Sequence, residues 1–344
     1  MSERQLARVV KIDQVIKHPN ADSLDLCKVG GWQVVAKLGE FKAGELAIYF
    51  EIDSFIPTTI APFLVKGSEP REYNGVKGER LRTIKLRKEL SQGLLLPLSI
   101  LDNVPSSYGF AFGIPEGEDL TEVLGIQKWE KPLSENLRGT AKGNFPSFLR
   151  KTDQERVQNL KFDRYQDLVC EVTEKLDGSS MTIYFNEGVA GVCSRNIDLK
   201  LDQEGNAFVN MFNTLKESGF IDQCLASGEN FAIQGELLGY KIQGNKYGLQ
   251  EGEYQFYVFS IFDIDKQSYV EPEKAQEFCK LTGLNYVPVI GNVTIDGTIE
   301  DYLKMAEDIS ALHKVEREGL VFKSLDGLTS FKVISNEWLL KFKE

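Results

Sequence analysis

Glu174-Lys-Leu-Asp-Gly-Ser-Ser180 is the stretch of this 344-residue sequence that says most about its fold. It sets Lys175 in a Lys-x-Asp-Gly frame between two strand-like runs, Leu168–Val172 and Met181–Phe185. A tight turn at Gly178 would present Lys175 at the end of a sheet and allow close backbone approach to a ligand. A lysine amine with a pKa near ~10.4 is a poor nucleophile until its surroundings deprotonate it. Taken alone, the frame also fits a solvated turn.

Further charged and aromatic residues follow this frame along the chain. Each lies within or next to a run that is typical of a β-strand. They are Arg195 after the run Gly188–Cys193, Glu236 in Phe231–Gly239, Phe259 and Phe262 in the aromatic run Phe256–Asp263, Glu318 before the run that ends at Lys323, and Lys332 in Ser330–Ser335.

This ordered series resembles the covalent nucleotidyltransferase superfamily of polynucleotide ligases and capping enzymes. Counterparts of its motifs I, Ia, III, IIIa, IV and V span about the last 175 residues. Thr173-Glu-Lys175 and Phe256–Phe259 resemble RNA-repair ligases in particular. With the N-terminal half and Ser330–Trp338, the sequence resembles the Naegleria-type ATP-dependent RNA ligases, in which an OB domain precedes the catalytic domain.

The resemblance implies a chemistry and a set of site residues. Lys175 would attack the α-phosphate of ATP to form lysyl-AMP, and AMP would pass to an RNA 5′-phosphate before a 3′-hydroxyl seals the strand. Two divalent ions, Mg²⁺ or Mn²⁺, are implied because phosphoryl transfer needs charge neutralisation. The implied roles are metal binding for Glu236 and Glu318, support for Asp177, nucleotide contacts for Glu174, Glu236, Arg195 and Lys323, adenine stacking for Phe259, and charge neutralisation at the α-phosphate for Lys332.

Two assignments stay open at this level. Phe262 lies three residues after Phe259 and is an alternative stacking residue, and Lys323 is equally consistent with a structural role. Many relatives carry Lys-x-Lys in the last motif, whereas Ile334 stands two positions after Lys332 here. Only one phosphate-directed lysine is therefore implied in that motif.

The cysteines and histidines restrict the class of site and the compartment. Five scattered cysteines without a Cys-x-x-Cys pair predict reduced core residues in an intracellular protein, cytoplasmic or nuclear. The N-terminus lacks the apolar segment of a secretory signal, and no apolar run is long enough to span a membrane. His18 and His313 are the only histidines, which argues against a zinc site. For His18 we expect a hydrogen bond that fixes a loop.

A net charge of −11 opposes binding of nucleic acid, but the charge is unevenly distributed along the chain. Residues 1–128 hold 16 basic and 17 acidic side chains, and Lys66–Lys88 holds eight basic against three acidic ones. If residues 83–87 form a strand, Lys85 and Arg87 share one face. We expect that face to contact RNA phosphates, and a solvated sheet edge is the alternative interpretation.

The alternation of runs predicts an α+β protein with two domains. Four closely spaced strands (Leu6–Ile12, Leu24–Val29, Trp32–Leu38, Leu46–Glu51), completed by Glu89–Pro97, predict an N-terminal OB-fold β-barrel over residues 1–125. His18–Val29 also resembles tRNA-binding OB modules. Residues 126–164 are expected to link it to an antiparallel-rich α+β nucleotidyltransferase domain, ATP-grasp-like, over 165–344, with helices at Ala207–Ser218 and Pro272–Leu281.

The expected partner is RNA, either a nicked duplex or a broken strand with 5′-phosphate and 3′-hydroxyl ends, bound by a monomer. Two alternatives remain. A capping-type guanylyltransferase would use the same lysine with GTP, although such enzymes usually place their OB fold after the catalytic domain. A non-catalytic OB-fold RNA-binding protein would not need the set of lysines and carboxylates.

Overall fold

The computed structural model describes residues 4–65, 67, 69–103, 114–130, 140–203 and 205–342. Contacts divide the chain into two units: Met1–Pro132 together with Leu339–Glu344, and Leu133–Trp338. Within the described ranges, no helix has the length and apolar character needed to cross a membrane.

The first unit is built from short strands. β1 (Ala7–Lys11), β5 (Leu46–Phe50) and β11 (Leu94–Pro97) form one sheet, and β2 (Gln14–Lys17), β3 (Leu24–Val29) and β4 (Trp32–Lys37) form another. A third contains β6 (Ser54–Pro57), β7 (Arg71–Tyr73), β8 (Val76–Arg80) and β12 (Gln127–Lys128), while β9 (Thr83–Leu86) and β10 (Glu89–Gln92) form a hairpin. All of these pairs are antiparallel.

Two apolar clusters form the interior of this unit. One centres on Ile48 and Phe50, the other on Trp32 and Tyr49, and alternate residues of β5 therefore point into different clusters. Leu339, near the chain's end, packs against the second cluster.

The second unit contains the remaining strands. They are β13 (Ala141–Asn144), β14 (Glu155–Arg156), β15 (Val169–Lys175), β16 (Ser179–Asn186), β17 (Val189–Cys193), β18 (Ile197–Leu199), β19 (Phe231–Gly239), β20 (Tyr254–Asp263), β21 (Ser268–Tyr269), β22 (Asn285–Tyr286), β23 (Val289–Thr294), β24 (Gly319–Ser324) and β25 (Ser330–Ile334). The helices are α1 (Ala207–Glu217), α2 (Phe220–Ala226), α3 (Pro272–Thr282), α4 (Ile299–Met305) and α5 (Asn336–Phe342), the last of which continues into the first unit.

These strands form an eight-stranded and a five-stranded sheet. The larger has the order β13-β18-β17-β16-β19-β20-β21, with β22 also pairing with β20; the smaller has the order β14-β25-β24-β15-β23. One face of the larger sheet packs with residues of α1, α2 and α3, and one face of the smaller packs with residues of α4. Since β15 belongs to the smaller sheet and β16 to the larger, residues 176–178 connect the two.

Local sequence explains the helix ends. Asn206 caps α1 by accepting hydrogen bonds from the amides of Phe208 and Val209, at 3.0 and 3.4 Å. Thr298 and Asp301 form a reciprocal capping box at the start of α4. These caps satisfy amides that would otherwise lack partners in the first turn.

Most expected elements lie within one to three residues of their observed bounds, but two differences affect the site. The strand before Lys175 does not end at Val172; β15 runs through Lys175 itself. The segment expected as a linker is partly structured, since β13 pairs with β18 and β14 with β25 inside the second unit. The chain's last residues also belong to the first unit, which the sequence analysis missed.

Part of the expected linker (131–139), and Lys66 of the basic segment, lie outside the described residues. The limits 1–125, 126–164 and 165–344 stay predictions.

Candidate active site

Lys175 lies at the end of β15 beside a carboxylate that is distant in sequence. Its Nζ donates a hydrogen bond to Oε2 of Glu318 at 2.6 Å, and both side chains are partly exposed. Pairing of β15 with β24 creates this contact, because Lys175 lies opposite Gly319, the residue after Glu318. Sheet register therefore joins the two expected residues.

Three carboxylates act on the Lys175 ammonium. Burial alone would lower the pKa of Lys175, but the negative charges of Glu318, Glu236 and Asp177 outweigh it and hold the pKa above the ordinary lysine value. Burial raises the pKa of Glu236 to about 8, Lys175 opposes that rise, and Glu318 and Asp177 add to it. The cluster thus combines a lysine with carboxylates that repel one another.

Gly178 brings Glu236 into this cluster. The Gly178 amide donates to Oε1 of Glu236 at 3.0 Å. A Cβ at this glycine would lie 2.5 Å from the Leu237 carbonyl oxygen and 2.7 Å from a Leu238 methyl carbon. The glycine is therefore required by its close approach to β19, and its close approach to a ligand stays a prediction.

Asp177 is held by residues that the sequence analysis missed. Its carboxylate forms an ion pair with Lys246, and its amide donates to the Tyr247 hydroxyl at 2.9 Å. Lys246 Nζ also lies 4.4 Å from the ring centroid of Trp338. Lys246 and Tyr247 lie in a loop without a recognisable motif, so only the fold reveals their proximity to the site.

The Glu174 side chain is turned into the protein. It is 1% exposed, and its Oε2 accepts a hydrogen bond from the Ala311 amide at 2.8 Å. Burial raises its pKa above the ordinary value, although Ser310 and Ala311 counteract that rise by hydrogen bonding. This side chain ties a loop to β15, so a direct nucleotide contact by its carboxylate does not fit the structure.

The two candidate stacking residues have different environments. Phe262 is fully buried and packs against Tyr269, with ring centroids 5.3 Å apart. Phe259 is only partly buried and lies with Leu176 and Tyr257 in a cluster next to the turn after Lys175. The structure therefore favours Phe259 as the aromatic face that a base can reach.

Lys332 lies on the same face of the five-stranded sheet as Lys175. Val321 is opposite both Lys332 on β25 and Thr173 on β15, so these three share one face. Lys175 is two residues from Thr173 and points to that face as well. Lys332 is partly exposed there, on β25, which is separated by β24 from the strand that bears Lys175.

Lys323 also lies on this face but is buried, with 7% exposure. Its Nζ donates to the backbone carbonyl of Phe259. Burial lowers the pKa of Lys323 to about 8, and Glu171 acts in the opposite direction. The amine is thus engaged with protein atoms, in contrast to the implied phosphate contact.

Arg195 follows β17, and its guanidinium forms an exposed ion pair with Asp153 at 2.7 Å. It lies in the connection between β17 and β18 of the larger sheet, whereas Lys175 lies on β15 of the smaller one.

In the first unit, Lys85 and Arg87 are exposed, as expected for an RNA-contacting surface. However, β9 ends at Leu86, and Arg87 lies in the two-residue turn with a φ of 48°. The expected shared strand face for Lys85 and Arg87 is therefore wrong. His18 accepts from the Asn20 amide at 3.0 Å and lies 3.1 Å from the Leu86 carbonyl oxygen, so it fixes its loop against this hairpin, as expected.

The carboxylates at Lys175 fit a hard divalent cation. Glu236 and Glu318 could supply oxygen ligands, and mutual repulsion among the carboxylates contributes to the raised pKa of Glu236. Among the described side chains, no group of three or more His, Cys, Asp or Glu is arranged to hold a metal ion.

Comparisons with known proteins match both units. The pattern of the RNA ligase family matches residues 169–334, and that of an OB-fold domain matches residues 6–98. No curated protein sequence matches the chain.

Solved structures of the Naegleria gruberi RNA ligase are similar over nearly the full chain. A mutant with ATP and Mn is 41% identical, covering 97% of this chain and 98% of that one, with a TM-score of 0.87. The same ligase with PPi is 41% identical, covering 99% of each chain, with a TM-score of 0.87. Another mutant, with AMP and Mn, is 40% identical over 98% of each chain, with a TM-score of 0.88.

Proposed function

The chain belongs to the Naegleria-type family of ATP-dependent RNA ligases, and we propose that Lys175 is the residue that carries AMP in its reaction. The fold is accordingly an N-terminal OB domain followed by an α+β nucleotidyltransferase domain, and the cofactors are ATP and a divalent metal, Mg²⁺ or Mn²⁺. Membership in this family favours the ligase function over the two alternatives, a capping-type guanylyltransferase and a non-catalytic RNA-binding protein.

The observation that carries the proposal is the hydrogen bond of 2.6 Å between Lys175 and Glu318, surrounded by Glu236 and Asp177. In the first step the Lys175 amine forms a bond to the α-phosphorus of ATP, the bond to pyrophosphate breaks, and the amine gives up a proton. Glu318 is placed to accept that proton or hold the amine in line. Glu236 and Glu318 would hold a divalent metal, which would supply positive charge that favours the neutral amine and offsets phosphate charge.

Two further steps complete sealing. A 5′-phosphate oxygen of RNA attacks the AMP phosphorus, the phosphorus–nitrogen bond breaks, and Lys175 regains a proton. A 3′-hydroxyl then attacks the 5′-phosphorus, which joins the strands and releases AMP. Lys332, on the face that Lys175 shares, is placed to neutralise phosphate charge during these transfers.

RNA is the substrate of this family, and we propose that the ends joined are a 5′-phosphate and a 3′-hydroxyl, in a nicked duplex or a broken strand. We propose that the ligase acts as a monomer, since the residues assigned to catalysis all lie within one unit of the chain. The exposed Lys85 and Arg87 support RNA binding by the first unit. All five cysteines are buried free thiols, which supports an intracellular location.

The test is whether labelled AMP becomes covalently attached to the protein. Wild-type protein incubated with α-labelled ATP and Mg²⁺ or Mn²⁺ should keep the label through denaturing electrophoresis, and Lys175→Ala should not. Lys175→Ala should still join a pre-adenylated strand, at least partly, because that substrate already contains the activated bond. Lys332→Ala serves as a second lysine variant, because it still contains Lys175, the residue to which AMP is expected to attach. Equal labelling of wild type and Lys175→Ala would refute the assignment.

A further inference from the structure

Lys323 has no place in the mechanism above, although it is a buried cation close to the site. It lies on β24, and its Nζ donates to the Phe259 carbonyl oxygen on β20, in the other sheet of the same unit. The same Nζ is 5.7 Å from the centroid of the Phe259 ring. One ammonium therefore contacts both the backbone and the ring of the residue assigned to adenine stacking.

A β-bulge at Phe259 explains why its carbonyl oxygen can accept a hydrogen bond from the Lys323 side chain. Pairing of β19 with β20 passes from Gly235 opposite Val258 to Gln234 opposite Ser260. Phe259 is the extra residue, and an extra residue in a bulge is left outside the regular ladder. Its backbone orientation consequently needs another restraint, and the Lys323 amine provides one.

Two residues near Lys323 act on its ammonium, Glu171 by its opposite charge and Tyr286 through its ring. Glu171, 1% exposed, lies opposite Lys323 in the pairing of β15 and β24. The Tyr286 hydroxyl donates to both oxygens of Glu171, at 2.9 and 3.2 Å, and Gln276 donates to one at 3.3 Å. Lys323 Nζ also lies 6.0 Å from the Tyr286 ring centroid.

Such a network is costly to bury and adds little to stability by itself. Ionised groups lose hydration in the interior, and apolar replacements are often as stable. A buried network does, however, fix geometry when its members are hydrogen-bonded. Here it fixes a bulged residue whose ring borders the Lys175 turn.

We propose that Lys323, flanked by Glu171 and Tyr286, is a positioning residue that orients Phe259 for stacking on the adenine of ATP and does not contact the phosphates. This inference rests on the proposed role of Phe259. It changes the implied role of Lys323 from phosphate ligand to support for base recognition.

The two roles differ in which part of ATP they affect. A phosphate ligand contributes equally to binding of ATP and of inorganic tripolyphosphate, which has no base. A residue that acts through Phe259 contributes only to ATP. Equilibrium binding of both compounds to the full-length chain, in Mg²⁺, therefore separates the roles.

The variants are Lys323→Met, Phe259→Ala and the double variant. We expect Lys323→Met to weaken ATP binding about tenfold, the effect of losing one charge-assisted restraint, and to change tripolyphosphate binding less than about twofold. The double variant should bind ATP no more than about twofold worse than Phe259→Ala, because coupled residues give non-additive effects. The adenylation rate at saturating ATP should stay within about threefold of wild type, since Lys323 does not touch the reacting atoms.

Tyr286→Phe keeps the ring but removes the hydroxyl that holds Glu171, so it tests the same idea if Lys323→Met does not fold. It should weaken ATP binding about threefold and leave tripolyphosphate binding unchanged. Equal loss of both ligands in either variant, or additive effects in the double variant, would overturn the inference. Failure of the wild type to form the lysyl-AMP adduct would instead refute the proposed function.

Discussion

Glu318 is the carboxylate in direct contact with the Lys175 amine, and the isosteric change Glu318→Gln removes its charge while keeping its shape. We expect adenylation to fall by about 100-fold or more, since one charged partner at a reacting group is typically worth that much. The measurement is single-turnover labelling with ATP at saturating metal.

Glu316→Gln, two residues earlier in the chain, is the matched control, and it should leave the rate within a few-fold of wild type. An unchanged rate in a folded Glu318→Gln protein would mean that the carboxylate is only a turn residue.

Lys323 should leave a signature in the pH dependence of stability. Burial lowers its pKa to about 8, whereas an unfolded lysine titrates near 10.5. Between these values the unfolded chain retains a proton that the folded chain has released, so Lys323 makes stability rise with pH in that window. Lys323→Met removes this contribution, and its free energy of unfolding should lose about 2 kcal/mol relative to wild type between pH 8 and 10.

Denaturant unfolding of both proteins at pH 7.5, 9 and 10 measures this difference. Lys304→Met, at an exposed position of α4, should show a nearly constant difference from wild type across the same range. A constant difference for Lys323→Met as well would show that its ammonium is not disfavoured in the fold.

At the scale of elements, the β9–β10 hairpin has an unusual turn. Leu86 lies opposite Glu89, and the two residues between them, Arg87 and Lys88, have φ values of 48° and 77°. Two-residue hairpin turns with positive φ at both positions favour Asn-Gly, because β-carbons are strained there. The sequence thus retains two basic side chains at a conformational cost, which supports a functional role for the tip.

The double change Arg87→Asn with Lys88→Gly removes both charges of the turn while it keeps residue types that favour the turn's backbone conformation. It should preserve the hairpin and raise stability by about 1 kcal/mol, while weakening RNA binding and reducing the slope of log affinity against log salt by about 1.4–1.8. Titrations of RNA at several salt concentrations measure the slope, and thermal unfolding measures the stability.

Lys85→Gln on β9 is the companion variant, since it removes one charge and leaves the turn unchanged. It should reduce the slope by about 0.7–0.9. RNA affinity and salt slope equal to wild type in the turn variant would show that the tip does not contact phosphates.

At the scale of the whole molecule, the residues assigned to catalysis and the OB domain lie in different parts of the chain. Every residue assigned to catalysis follows position 170, so removing residues 1–125 should leave adenylation of Lys175 measurable while strongly impairing the sealing of nicked RNA duplexes. Because Leu339 packs within the first unit, the shortened chain should carry Leu339→Ser to avoid exposing an apolar side chain.

Full-length Leu339→Ser is the control for that design. Adenylation and nick sealing are measured on the three proteins at low and moderate salt. Nick sealing by the shortened chain at the full-length rate, with the same salt dependence, would contradict an RNA-binding role for the first unit.

The sequence by itself determined the class of chemistry and the kinds of element. The sequence shows ordered local patterns, within or next to strands, at Lys175, Glu236, Glu318 and Lys332. Such strands can be recognised in the sequence because their periodicity depends only on neighbouring residues in the chain. The bounds of β3 and β19 agree with the sequence pattern for the same reason. His18 in its loop is likewise a local arrangement, fixed in part by an amide two residues away.

Only the tertiary structure decided which side chains meet. Lys175 and Glu318 are 143 residues apart, Glu174 and Ala311 are 137 apart, and Asp177 and Lys246 are 69 apart. Sheet register brings the first of these pairs together, and a bulge sets the environment of Phe259. Register and bulges depend on burial summed over whole sheets, so no short window of sequence contains them. For that reason the sequence was sufficient to predict Lys175 as the reactive lysine, whereas only the fold shows that Lys323 contacts Phe259.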